Sequence, residues 1–128
     1  MLLERILREI KPGTRIPKPV AHAPYRVKGE GRRRGERALV YMISNQDAPD
    51  CPHEKGVNAS ELHRAYRELI DTGRLTRKWF NQQLSDCASE GSCNFTTIGG
   101  LLVLLGEAEY GGPGVYRSRN HKENHSAE

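Results

Sequence analysis

With 128 residues, 36% hydrophobic content and a mean hydropathy of −0.72, the chain has room for one domain with a modest core under a large polar surface. No apolar stretch approaches the roughly 18 residues of a membrane span. Met1-Leu2-Leu3-Glu4-Arg5-Ile6 carries an acid too early, and too little continuous apolar sequence, for a secretory signal, so the expected location is the cytoplasm with no membrane partner. The net charge of +4 is unevenly spread: residues 1–40 hold 11 Lys and Arg against 4 Asp and Glu, and residues 41–128 hold 9 against 12. A basic segment on a mildly acidic body suggests an arm or hairpin that meets a polyanion; the plainer alternative is a solvated face.

In chain order, Leu2, Leu3, Ile6, Leu7 and Ile10 recur at helical spacing until Pro12-Gly13, which predicts an amphipathic helix over residues 1–11. Its stripe needs a cover, either the rest of the domain or a second copy, so a homodimer through Leu3, Ile6, Leu7 and Ile10 is one expectation. Residues 12–24 contain Pro12, Pro17, Pro19 and Pro24 and read as an extended connector. The alternating Tyr25-Arg26-Val27-Lys28 and the apolar run Arg37–Ile43 predict an antiparallel pair, with the second strand buried. Between them lies a glycine-rich loop carrying Arg32, Arg33 and Arg34, so charged that its tip is expected to face solvent.

Residues 45–55 read as a loop. Asn58 followed by Glu61 is a capping box, with Val57 and Leu62 as the matching staple, and predicts a helix from Asn58 to Gly73. Thr76-Arg77-Lys78 opens another helix, whose Trp79, Phe80, Leu84, Cys87 and Ala88 fall on one face, with Gly91 as a left-handed stop. Trp79 and Phe80 beside Arg77 and Lys78 admit a base-stacking role, but their spacing from Leu84 favours a place in the core. Asn94 and Gly106 bracket a third helix. Its run Leu101-Leu102-Val103-Leu104-Leu105 reads equally as a buried strand; the bracketing residues favour helix. Glu107–Tyr110 and Val115–Arg117 flank Gly111-Gly112-Pro113-Gly114, a turn between two short strands. Residues 118–128 are polar and aperiodic, which predicts a disordered tail.

Residues from about Gly35 to Arg117 resemble the winged helix-turn-helix superfamily in element order and in the glycine-rich wing. The resemblance implies an α+β fold, a three-helix winged-helix-like core with a small antiparallel sheet over residues 25–117, added to the N-terminal amphipathic helix. It implies nucleic-acid binding, DNA favoured over RNA, with the third helix at the bases. The residues that would act are Asn94, Thr96 and Thr97 at base edges, Arg77 and Lys78 on phosphates, and Arg117 and Arg119 from the wing. Gly99 and Gly100 would permit close backbone approach. The hairpin set Arg32, Arg33, Arg34 and Arg37 would grip phosphates or enter a minor groove. Against this, the third helix has no Lys or Arg, and residues 85–110 hold four acids and no base. An interaction or assembly module of the same fold is therefore the alternative. The size of the chain and its lack of catalytic motifs are similar to those of small proteins of bacterial genomes and mobile elements.

Enzymatic motifs are absent: no nucleophile elbow, phosphate loop or paired-histidine metal motif occurs, and no cofactor is expected. Cys51, His53, Cys87 and Cys93 have the chemistry of a zinc set, but Cys-x-His and Cys-x5-Cys are not zinc spacings, so no metal is expected. In a chain without export features these thiols are expected to be reduced.

Overall fold

Leu2, Leu3 and Ile6 on the first helix, α1 (Leu2–Glu9), turn into the domain, with Leu3 and Ile6 fully buried. Ile10 follows them inward and Leu7 packs partly against the same core. Of the stripe Leu3, Ile6, Leu7 and Ile10, for which a second copy is one expected cover, Leu3, Ile6 and Ile10 are buried in the chain's own core and Leu7 is half-buried. The computed structural model describes residues 1–20, 23–44 and 53–119.

The expected connector is only partly a connector. Ile16 is buried, and β1 (Arg15–Ile16) pairs with β2 (Tyr25–Arg33), Ile16 opposite Tyr25. β2 pairs antiparallel with β3 (Glu36–Ile43) through a register shift between Val27 and Gly29, and β3 pairs with β4 (His53–Asn58). The sheet order is β1-β2-β3-β4, so the apolar β3 is central, as its composition demands. Val27, Leu39, Tyr41 and Val57 carry its inner face into the core. The glycine-rich stretch before Glu36 is mostly strand, and the turn shrinks to Arg34 (φ 52°) and Gly35 (φ 82°). Two left-handed residues make the tight hairpin turn that matches strand twist. Most of the expected 45–55 loop lies outside the described residues, but His53–Lys55 belong to β4.

The second half begins with α2 (Ala59–Thr72), whose capping box is complete: Asn58 accepts from the Glu61 amide and Glu61 accepts from the Asn58 amide. Gly73 ends it in the left-handed conformation. A three-residue strand, β5 (Arg74–Thr76), follows. The next predicted helix is broken at Leu84 (φ −119°, ψ 51°) into α3 (Arg77–Gln83) and α4 (Ser85–Glu90), and Gly91 is extended rather than left-handed. α5 (Cys93–Leu104) is helical, not a strand, and closes with paired bonds from Gly106 to Val103 and from Glu107 to Leu102. Asn94 sits inside it, one residue past its start, and is not its cap. The hairpin β6 (Ala108–Tyr110) and β7 (Val115–Ser118) is completed by β5, giving a second sheet ordered β5-β7-β6. β3 belongs to the other sheet.

The molecule is thus an α+β fold of two antiparallel sheets and five helices among the described residues. α5 lies between the sheets. On one side a Cβ added to Gly99 would stand 2.1 Å from the Tyr116 ring; on the other, a Cβ on Gly100 would stand 2.4 Å from the Pro17 carbonyl. The close approach inferred for these glycines is real, but the approaching groups are the chain's own. In an open helix, alanine in place of glycine gains about 1 kcal/mol. Here Gly99→Ala and Gly100→Ala are each expected to destabilise by about 1–3 kcal/mol, because neither neighbour is a flexible chain end. Urea denaturation measures the sign directly.

Candidate nucleic-acid interface

The arginine hairpin divides into one residue that is drawn inward, Arg34, and three that stay at or near the surface. The tight turn swings Arg34 back under the sheet. Its Nε donates to Glu61 Oε2 and its Nη2 to Oε1, both at 2.6 Å, and Nη2 also reaches the Gly56 carbonyl at 2.8 Å. A further ion pair joins it to Glu90. With 14% of the Arg34 side chain and 10% of the Glu61 side chain exposed, this is a buried pair, contrary to the solvent-facing tip expected. Arg37 is held by Glu30 at 2.7 Å and Glu4 at 3.3 Å. Arg33 lies across Gly56 and donates to the Arg32 carbonyl. Only Arg32 is exposed; it donates to the Gly35 carbonyl at 2.9 Å.

The base-reading residues are withdrawn more completely. Asn94 and Thr97 are both 0% exposed. Asn94 Oδ1 accepts from the Tyr41 hydroxyl at 2.7 Å and Nδ2 donates to the Cys87 carbonyl at 3.0 Å, so its amide ties α5 to β3 and α4. Neither residue can meet a base edge without unfolding the core; their assignment as readers is corrected. Thr96 is half-buried and lines a cleft beside the wing. Of the remaining residues, Arg77 is half-buried over the Phe95 ring, while Lys78 and Arg117 are exposed.

Pairing adds one residue that the sequence did not offer. β5 places Arg74 directly opposite Arg117 of β7, and both are exposed. Arg119 follows β7 at the surface, and Glu109 stands opposite Arg117 on its other side. The ion pairs among the described residues engage Arg5, Arg8, Lys28, Arg34, Arg37 and Arg67; Arg74, Lys78, Arg117 and Arg119 lie outside them, as do the exposed Lys11, Arg15, Arg26, Arg32 and Arg64. A three-residue strand has no periodicity to read, so Arg74 carried no signal before its register was known.

The cysteines do not converge within the described residues. Cys87 is buried on α4, Cys93 is half-buried at the start of α5, His53 is exposed on β4, and Cys51 lies outside the described residues. No group of three metal-ligating side chains occurs among those described. Burial, then the Glu61 carboxylate, pushes the Cys87 thiol up from 9.0 to about 12, and burial pushes Tyr116 up from 10.0 to about 12. Comparison with protein-family models, with curated proteins and with solved structures finds no match to this chain.

Removing Arg34 strands Glu61, whereas Arg32 has nothing buried to strand. Arg34→Ala is expected to cost about 3–5 kcal/mol in denaturant titrations, and Arg32→Ala to stay within about 0.5 kcal/mol. Both thiol and phenol are acids whose folded pKa is raised. Their stabilisation is full below the unfolded values near 9 to 10 and is lost as pH rises toward 12. The denaturation midpoint should therefore be flat with respect to these groups up to about pH 8.5 and decline above it. A midpoint unchanged to pH 11 would contradict this.

Proposed function

We propose that this protein is a small nucleic-acid-binding protein of winged-helix type, DNA favoured over RNA, which grips phosphates through the outer face of its three-stranded sheet. The observation that carries the reading is the pairing of Arg74 opposite Arg117, both exposed, with Lys78 and Arg119 close by in sequence and none of them in an ion pair among the described residues. Arginine side chains fixed at strand spacing suit a phosphate backbone, and such contacts position a protein without reading sequence. Arg32 at the far hairpin adds one further cation. The winged-helix reading is supported by the order α2, α3–α4, α5 and then the hairpin β6–β7, with β5 widening the wing to three strands.

Because α5 is enclosed, affinity in this reading is electrostatic and sequence preference weak. A second reading, a protein-interaction module of the same fold, is favoured by the burial of Asn94 and Thr97, which removes the base readers. A salt series with labelled random-sequence duplex separates the two. Binding should fall linearly in log–log form, with a slope of roughly −0.9 per phosphate neutralised. Arg74→Gln with Arg117→Gln should flatten the slope by about two and weaken all sequences alike. No binding at about 50 mM salt would sink the nucleic-acid reading and leave the interaction module.

A further inference from the structure

Beside the hairpin β6–β7, the residues after β1, Pro17-Lys18-Pro19-Val20, form a strap that borders two cavities. The first, of about 370 Å³, is lined by Lys18, Tyr25, Arg77, Cys93, Thr96 and Tyr110, among others. The second, of about 220 Å³, is lined by Pro17, Lys18, Pro19, Val103, Tyr110 and Tyr116. Lys18, Pro19 and Tyr110 border both, so the two are adjoining compartments of one cleft. Their chemistry differs. One holds two cations and hydroxyls; the other is walled by prolines, a valine and two tyrosine rings.

The cationic compartment is built rather than incidental. The Arg77 amide donates to the Gly114 carbonyl at 2.9 Å, its Nη1 donates to the Ser92 carbonyl at 3.0 Å, and its guanidinium lies 4.7 Å over the Phe95 ring. That fixes the group at two ends while using one of its five side-chain N–H donors. The Lys18 ammonium rests 4.4 Å over the Tyr25 ring. Burial, and after it Arg15, lower the Lys18 pKa. In the other compartment Tyr110 is 46% exposed, and its ring meets Tyr116 edge-on at 5.7 Å and 71°. An exposed ring at the mouth of an apolar slot is a stacking platform for a planar group.

We propose that this cleft binds a phosphorylated nucleoside, the phosphate at Arg77 and Lys18 and the base in the slot against Tyr110 and Tyr116. A dianion answers two converging cations, and a flat ring answers the slot. A phosphate and a ring seated in adjoining compartments call for a spacer between them, which a pentose supplies and a phosphorylated phenol lacks. The same unit comes from two sources, a free mononucleotide or the 5′-phosphorylated end of a single strand. The site does not depend on duplex binding by Arg74 and Arg117.

The test titrates the isotopically labelled full chain with adenosine monophosphate, adenosine, inorganic phosphate, O-phosphotyrosine and a short 5′-phosphorylated single strand. The expected result is perturbation of the Cys93, Thr96 and Tyr110 amides by the monophosphate, with adenosine and phosphate each at least about tenfold weaker. Tyr110→Ala, Lys18→Gln and Arg77→Gln should each weaken it by about tenfold, and Tyr110→Phe should retain it. Should Arg77→Gln lose the Phe95 stack and unfold, the other two variants still decide. Displacement of the monophosphate by the single strand identifies a nucleic-acid end as the ligand, and no displacement identifies a free nucleotide; both uphold the site. Monophosphate binding no tighter than phosphate, tighter binding of phosphotyrosine, or affinity unchanged in Tyr110→Ala would overturn it. Random-duplex affinity, read through Arg74 and Arg117, is measured separately and should be unmoved by Tyr110→Ala.

Discussion

Everything else in this domain is arranged around a helix that has no charge and almost no exposed face. α5 carries Phe95, Ile98, Leu101 and Leu102 into the core, and its two glycines let the Tyr116 ring on one hand, and the Ile16 side chain and Pro17 carbonyl on the other, press against it. A helix apolar all round is stable only when enclosed. The enclosing elements come from both ends of the chain: β1, β4, α2, α4 and β6 all contact it. Its one buried amide, Asn94, is satisfied by Tyr41 and the Cys87 carbonyl, so burial costs no orphaned polar group there. That enclosure is why the third helix cannot serve as a groove reader.

The charge distribution follows the same logic. A run of three arginines looks like one feature in sequence, but a two-residue turn sends neighbours in opposite directions. Arg34 becomes internal and shares Glu61 with the α2 cap, so one carboxylate fixes both a hairpin turn and a helix start. Arg5 does a similar service for α1, bonding Glu107 at 2.9 Å and the Leu105 carbonyl at 3.1 Å, while Tyr66 donates to the same Glu107. Among the exposed cations outside these pairs, Arg74 and Arg117 are set side by side by the pairing of β5 with β7.

Local signals were legible in the sequence, and signals that depend on distant partners were not. The Asn58–Glu61 box, the Leu2–Ile10 stripe and the glycine turn before β7 each complete their logic within a few residues. β4 is different: His53-Glu54-Lys55-Gly56 has poor strand character and is extended because β3 pairs with it. The break at Leu84 has neither Gly nor Pro to announce it. The fate of Arg34 rests on acids 27 and 56 positions away, Glu61 and Glu90. Gly99 and Gly100 did announce a close approach, but a glycine cannot say what approaches. The cleft escaped notice for the same reason, since Lys18, Arg77 and Tyr110 share no spacing.

The bond between Arg5 and Glu107 spans 102 positions in the chain. At translation rates of about 5–20 residues per second, Arg5 is synthesised roughly 5–20 s before its partner carboxylate exists. For part of that interval the apolar stripe of α1 waits for α2 and β3, and Ile16 waits for α5, while the most basic third of the protein is already synthesised. Closing so long a loop is also the slow part of refolding in vitro, since non-local contacts repay their entropy only when made. The ion pair that ties α1 to the far end of the domain is therefore among the last contacts that synthesis makes available.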